Sequence, residues 1–157
     1  MTESARAECA ALRAISSLSE LSEAHLAELA SFTELQSYPA GTVLFREGQY
    51  HDRLYFVCSG MVQLNMATTI RDRGQQTILS ISSDDVLAWS ALIGDSIMTA
   101  TAVATEDTTV ISLVASKLKQ ALDAKPELGY QFMKAVAKAL SRRLLATRLQ
   151  LLDLYQD

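Results

Sequence analysis

From Thr33 to Val114 the chain breaks into short segments rich in Val, Ile, Leu, Tyr and Thr, and each is closed by a turn signal. The turns fall at Pro39-Ala40-Gly41, Glu47-Gly48, Ser59-Gly60 and Arg71-Asp72-Arg73-Gly74. Strands of this length cannot each bury an apolar face alone, so they must pair into sheets that close on one another. Leu54-Tyr55-Phe56-Val57-Cys58 is apolar throughout, which predicts a strand covered on both faces. Met61-Val62-Gln63-Leu64-Asn65-Met66 keeps some alternation and predicts a strand with a wetter side. Gly48 and Gly60 fit turns that need a positive φ. The pattern predicts about eight strands rolled into a two-sheet barrel of jelly-roll type.

Helical patterns flank this β-rich span. Leu12 and Ile15 share a face in the first, and Ser22-Glu23-Ala24-His25 opens a second that carries Leu26 and Leu29. After Ala115, Leu118 and Leu122 mark a short helix ending near Ala124-Lys125-Pro126, and a last helix starts around Glu127. The expected organisation is one domain over 1–157: helices in 1–31, the barrel in 33–114 and helices in 115–157, with a pairing helix over 127–156. The fold class is mainly β with flanking helices, an α+β chain built on a double-stranded β-helix.

The last helix has two apolar sets. Tyr130, Met133, Ala137, Leu140, Leu144, Thr147, Leu151 and Leu154 recur three and four apart, the spacing of a coiled-coil seam. Phe132, Val136, Leu145, Leu149 and Leu152 flank them, and one barrel cannot cover both sets along a helix of about 40 Å. The seam predicts a homodimer or docking of another protein; the alternative is a helix folded back on its own domain.

With 157 residues, 49% apolar and 20% charged, the chain is long enough to bury a core without disulfide or metal staples. Cys9 and Cys58 are its only cysteines, and Cys58 sits in an apolar run as a small core hydrophobe. The N-terminus lacks a secretion-type apolar core and no apolar run approaches the roughly 20 residues of a membrane span, so a cytoplasmic protein without membrane contact is expected. A net charge of −4 argues against direct nucleic-acid binding. Arg71 with Arg73, and Arg142, Arg143 and Arg148, read as solvated faces. His25 and His51 are too few for the metal sites of other jelly-roll barrels, and His51 beside Asp52 reads as a solvated turn residue. No metal and no bound cofactor are expected, only a small-molecule effector.

The segment Asp85-Val86-Leu87-Ala88-Trp89-Ser90-Ala91-Leu92, with Met98-Thr99-Ala100-Thr101 after it, carries the chemistry. A strand there runs into a helical turn at Ser90, whose first N–H groups lack intrahelical partners and suit an anion. Asp84-Asp85 reads as a turn between strands. The candidate ligand-binding residues are Leu87, Ala88, Trp89, Ser90, Ala91, Met98, Thr99, Ala100 and Thr101.

The helical lead-in, Tyr38-Pro39-Ala40-Gly41-Thr42-Val43-Leu44-Phe45-Arg46-Glu47-Gly48, then Leu54 to Val62, the segment above and the long last helix together resemble the cyclic nucleotide-binding domain family. The sensor half of bacterial Crp/Fnr-type regulators is the nearest likeness, over about Leu18 to Tyr155. The resemblance implies a phosphate-binding cassette patterned Gly-Glu-Leu-Ala-Leu with a later Arg. Ala88 takes the place of its Gly, Trp89 of its Glu and Met98 of its Arg. In the family the Glu accepts from the ribose hydroxyl and the Arg pairs with the cyclic phosphate, roles closed to Trp and Met. Loss of the charged phosphate contact costs about 2–3 kcal/mol, roughly 30- to 200-fold in affinity. Neutral groups remain: N–H groups near Ser90 and Ala91 and the hydroxyls of Ser90, Thr99 and Thr101. Trp89 either stacks on a flat ligand or fills the cavity and keeps it shut.

No nucleophile–base arrangement, phosphate loop or paired carboxylates point to an enzyme. The helix-turn-helix that follows such sensor halves has no counterpart before Asp157, and two cysteines cannot hold the iron–sulfur cluster of the family's redox branch. Three readings stay open: a stand-alone sensory module for a ligand other than cAMP, a genuine cAMP-binding regulator acting on a partner, and a ligand-free scaffold that dimerises or docks a protein.

Overall fold

A computed structural model describes residues 2–67 and 74–155. Arg71, Asp72 and Arg73, where a turn is expected, lie outside the described residues. Helix α1 (Glu3–Ala14) begins where the Thr2 hydroxyl accepts the Ala5 N–H at 3.1 Å, and α2 (Glu23–Ala30) where the Ser22 hydroxyl accepts that of His25 at 3.1 Å. A 3₁₀ turn (Ser16–Leu18) joins them.

Eight strands follow among the described residues: β1 (Thr33–Tyr38), β2 (Val43–Phe45), β3 (Arg53–Ser59), β4 (Val62–Ala67), β5 (Gln75–Ile81), β6 (Val86–Leu87), β7 (Thr101–Ala104) and β8 (Thr108–Val114). They form two four-stranded antiparallel sheets, ordered β1-β8-β3-β6 and β2-β7-β4-β5, the expected two-sheet jelly roll. Gly60, at φ +93°, turns β3 into β4; a Cβ there would lie 2.5 Å from the Asp107 carbonyl oxygen. One four-residue turn of helix, α3 (Ser90–Ile93), interrupts the sheet sequence, and α4 (Ala115–Ala124) and α5 (Pro126–Leu154) close the chain. Pro126 starts α5 at the position where its missing N–H costs nothing.

Strand β3 shows why its sequence is apolar without alternation. Leu54 and Phe56 point into a core shared with Leu12, Leu26, Leu29, Leu118 and Phe132 of the helices, whereas Tyr55 and Val57 point into the barrel with Leu87, Met98 and Val110. The strand is therefore the wall between two cores. Phe56 meets Phe132 of α5 edge to face, with ring centroids 6.1 Å apart.

Helix α5 is covered along only half its length. Leu128, Phe132, Ala135, Val136 and Ala139 are buried, and no described residue after Ala139 is. Leu144, Leu145, Leu149, Leu151, Leu152 and Leu154 are each more than half exposed. With 29 residues the helix is about 43 Å long, so its last turns extend past the core that holds the first. Among the described residues, no helix is long and apolar enough to cross a membrane.

Phe132 anchors α5 to β3, and the cavity left by Phe132→Ala has rigid walls on both sides. We expect the substitution to lower unfolding free energy by about 3–5 kcal/mol in chemical denaturation.

Candidate ligand-binding site

The site is assembled where β6 leaves the barrel. Val86 and Leu87 pair with Phe56 and Tyr55 of β3, and the chain then reverses through Ala88 at φ +63° into α3. Ser90 holds the far side of this reversal: its hydroxyl donates to the Ile97 carbonyl at 2.9 Å, and its own carbonyl accepts from Ser96 N–H at 3.0 Å. Met98 is fastened to the opposite hairpin, its N–H donating to Gln49 O at 3.0 Å and its carbonyl accepting from Gly48 N–H at 2.8 Å. Leu87, Ala88, Trp89, Ser90, Met98, Thr99 and Ala100 thus come together around one cavity, with Phe45 and Leu64 opposite.

That cavity measures about 20 Å³, room for a single water. Pockets for small organic ligands run to about 300–1,000 Å³. Met98 is buried and Trp89 half-buried at the rim, so apolar side chains occupy the space.

One charged residue lines the cavity, and it comes from α5. The Arg143 guanidinium donates through Nη2 to Asp85 Oδ1 at 2.8 Å and to the Val86 carbonyl oxygen, and its side chain is 12% exposed. Asp85 Oδ1 also accepts the Val86 N–H at 2.9 Å. Arg143 Nε is buried without any acceptor.

A family model described as the cyclic nucleotide-binding domain matches residues 35–125, more than half of the chain. The chain belongs to the cyclic nucleotide-binding domain family. It is 25% identical over 118 residues to a CRP-like cAMP-activated global transcriptional regulator of Mycobacterium tuberculosis, a match covering 74% of this chain and 51% of the regulator. The chain therefore spans about half the length of the curated relatives it matches. Among solved structures, a Geobacter metallireducens protein aligns at TM-score 0.75 with 26% identity, covering 92% of this chain and 99% of that one. A cyclic nucleotide-binding domain of Methylobacillus flagellatus aligns at TM-score 0.78 with 21% identity, over 95% and 83% of the two chains, a likeness of fold.

Within this cyclic nucleotide-binding domain, several groups expected to face a ligand are engaged elsewhere. The Ser90 hydroxyl closes the loop described above. The Thr101 hydroxyl accepts from Glu47 N–H at 2.9 Å and is buried. The Ala91 N–H donates to Ala88 O at 3.0 Å, so the helical turn has one fewer open donor than its sequence suggests. Thr99 alone of the three hydroxyl residues is exposed.

Five residues read as solvated or as mere turn formers have defined partners. Arg143 is not on the wet side of its helix but in the cavity wall; Arg142 reaches Ser17 Oγ at 2.9 Å. Asp85 is the partner of Arg143, and Asp84, at φ +71°, accepts the Ser16 N–H at 3.2 Å. His51 is half-buried against Phe45 and Tyr55, its Nε2 2.8 Å from the Tyr55 hydroxyl. No local signal announces the Arg143–Asp85 contact, since it joins residues 58 positions apart.

Burial, reinforced by the Arg53 charge, holds the His51 imidazole below its ordinary pKa against the opposing pull of Asp52. Burial likewise raises the Tyr55 phenol, which stays protonated beside it. A histidine harder to protonate when folded makes the unfolded chain the better proton binder. Its contribution is then fully present above about pH 6.5 and is lost as pH falls from there through the lower folded value. Replacing it by His51→Gln is expected to flatten the decline of Tm on acidification below about pH 6.5, as followed by thermal melts.

Ala88 carries a left-handed backbone that costs an L-residue about 1–2 kcal/mol and glycine little. Glycine's extra unfolded-state entropy offsets part of this gain. Ala88→Gly is expected to stabilise the protein by a few tenths to about 1 kcal/mol, read as a rise in denaturation midpoint, whereas glycine elsewhere in a regular element destabilises by about 0.5–1 kcal/mol.

Proposed function

We propose that this chain is a non-enzymatic regulatory module that senses a small molecule other than cAMP in its barrel and reports through α5, which pairs with a second copy. The observation that carries this reading is Arg143. It belongs to the reporting helix and also forms part of the cavity wall, so a change in the cavity's occupancy and a shift of the helix share one contact. A ligand that binds one arrangement of that contact better than the other shifts the population between them.

The cassette residues support a ligand other than a cyclic nucleotide. Trp89 offers no acceptor for a ribose hydroxyl, and Met98 offers no charge for a phosphate. The exposed leucines of α5 support pairing, because a row of Leu144, Leu151 and Leu154 facing water is the apolar stripe a partner helix covers. The regulator from Mycobacterium tuberculosis that the chain resembles is described as cAMP-activated, which makes cAMP the control ligand. The small cavity volume favours a second reading, a permanently closed scaffold that uses only the helix.

Size-exclusion chromatography with light scattering tests pairing. The wild-type chain is expected to run as a dimer and the double variant Leu144→Glu/Leu151→Glu as a folded monomer, since both positions lie beyond the helix's buried half. A monomeric wild type overturns the pairing. Thermal melts against a small-molecule library separate the two readings: stabilisation by any member supports the sensor, stabilisation by none supports the scaffold, and a cAMP response equal to that of a conventional cyclic-nucleotide receptor overturns the assignment of a different ligand.

A further inference from the structure

Buried guanidinium groups must keep an acceptor, and Arg143 is short of one. Its Nη2 is satisfied by Asp85 and the Val86 carbonyl, but Nε–H is buried and donates to nothing. It is also the one charged group in the cavity wall among the described residues, facing Phe45, Leu64, Leu87 and Met98. Its partner is the less committed half of the pair. Asp85 is 26% exposed against 12% for Arg143, and it stands at the surface end of a strand where water can solvate it.

We propose that Arg143 is the anion receptor of this pocket and that Asp85 is a built-in stand-in for the carboxylate or phosphate of an incoming ligand. The inference rests on the sensory reading above and names its ligand class: a small organic monoanion with a flat apolar body. The anion replaces Asp85 on Arg143 and supplies the acceptor that Nε lacks, using the guanidinium's two-pronged edge. Asp85 rehydrates, so one charge pair is exchanged for another and no charge is left buried alone. The apolar body needs far more than the 20 Å³ now open, so the half-buried Trp89 ring moves from the rim to admit it against Phe45, Leu87 and Met98 and then lies over it. With Asp85 displaced, Arg143 keeps only the Val86 carbonyl on the barrel, so the hold on α5 beyond Ala139 is weakened. A neutral molecule of the same shape gains no charged partner on Arg143 to offset the opening of that space.

Isothermal titration of the full chain provides the test, with benzoate and indole-3-acetate as probes, their amides as neutral counterparts, and inorganic phosphate and cAMP alongside. The carboxylates are expected to bind at least about tenfold more tightly than the amides, the size of effect a charged hydrogen bond supplies. Phosphate binding through Arg143 would identify a phosphate rather than a carboxylate as the recognised group. Asp85→Asn keeps the acceptor for Val86 N–H but weakens the internal competitor, and it should raise carboxylate affinity about tenfold. Arg143→Gln alone leaves Asp85 uncompensated, so the double variant Asp85→Asn/Arg143→Gln is the cleaner control: with a wild-type melting profile, it should lose binding by about tenfold or more.

Equal binding of acids and amides overturns the proposal, as does undiminished binding by the double variant. So does the absence of binding by every probe to both wild type and Asp85→Asn; the tether is then static and a water satisfies Nε. A cAMP interaction indifferent to Arg143 overturns it as well. Light scattering on the same samples keeps this failure apart from that of the sensory reading. Anion binding through Arg143 with no effect on helix pairing preserves the receptor and removes the sensor, and a pairing response independent of Arg143 does the reverse.

Discussion

Strand β3 is the constraint on which the architecture turns, because the helices cover one of its faces and the barrel interior covers the other. Leu54 and Phe56 fix the helices to one face, and Tyr55 and Val57 fix the barrel interior to the other. Helices that could not form a stable unit alone are held by the Phe56–Phe132 contact and its neighbours. The same strand pairs with β6, so the cavity and the start of α5 are placed relative to one another by a single rigid element.

Where β3's influence ends, the molecule changes character. Up to Ala139, α5 is part of the core; after it, the helix meets the barrel through the Arg143–Asp85 contact and a partly buried Ala146, and leaves its leucines to water. Apolar packing is non-directional and hard to reverse without a cavity, whereas a guanidinium can exchange one carboxylate for another at little net cost. The division leaves the charged contact on the part of α5 that lies beyond its buried half.

Much of this was legible in the sequence because it rests on local chemistry. Ser22 caps its helix, Pro126 starts one, Gly60 takes a positive φ where β3 turns into β4, and the unalternating run at Leu54–Cys58 lies between two cores. The two apolar sets of the last helix part differently from their spacing: Phe132 and Val136 of the flanking set are buried, while Leu145, Leu149 and Leu152 of the same set are exposed with Leu144, Leu151 and Leu154 of the seam. The misplaced residues are those whose roles depend on a partner far along the chain. Arg143 sits between Arg142 and a seam leucine, and helical spacing alone puts it on the polar side; only the direction in which α5 leaves its packed half brings it over β6. His51 is different, since Phe45 and Tyr55 are near it in sequence and cover it only because the chain between β2 and β3 folds back over them. The hydroxyls of Ser90 and Thr101 have the residue type a ligand site wants, but buried hydroxyls must be satisfied, and nearby backbone groups reach them first.

Trp89 and Met98 thus have to be read together with an arginine that is nowhere near them in sequence. Met98 makes the cavity wall beside the helix apolar, and an apolar space admits a charged side chain only if that side chain is paired. Asp85 provides the pair from the strand that enters the cassette, and the cavity closes around the result at about 20 Å³. A scaffold with no further use for this space would be better served by an aliphatic residue at position 143, because an apolar filling commonly matches or exceeds the stability of a buried ion pair. The presence of a guanidinium with an unsatisfied N–H, on the helix that carries the exposed seam, is the feature that a purely structural account leaves without a reason.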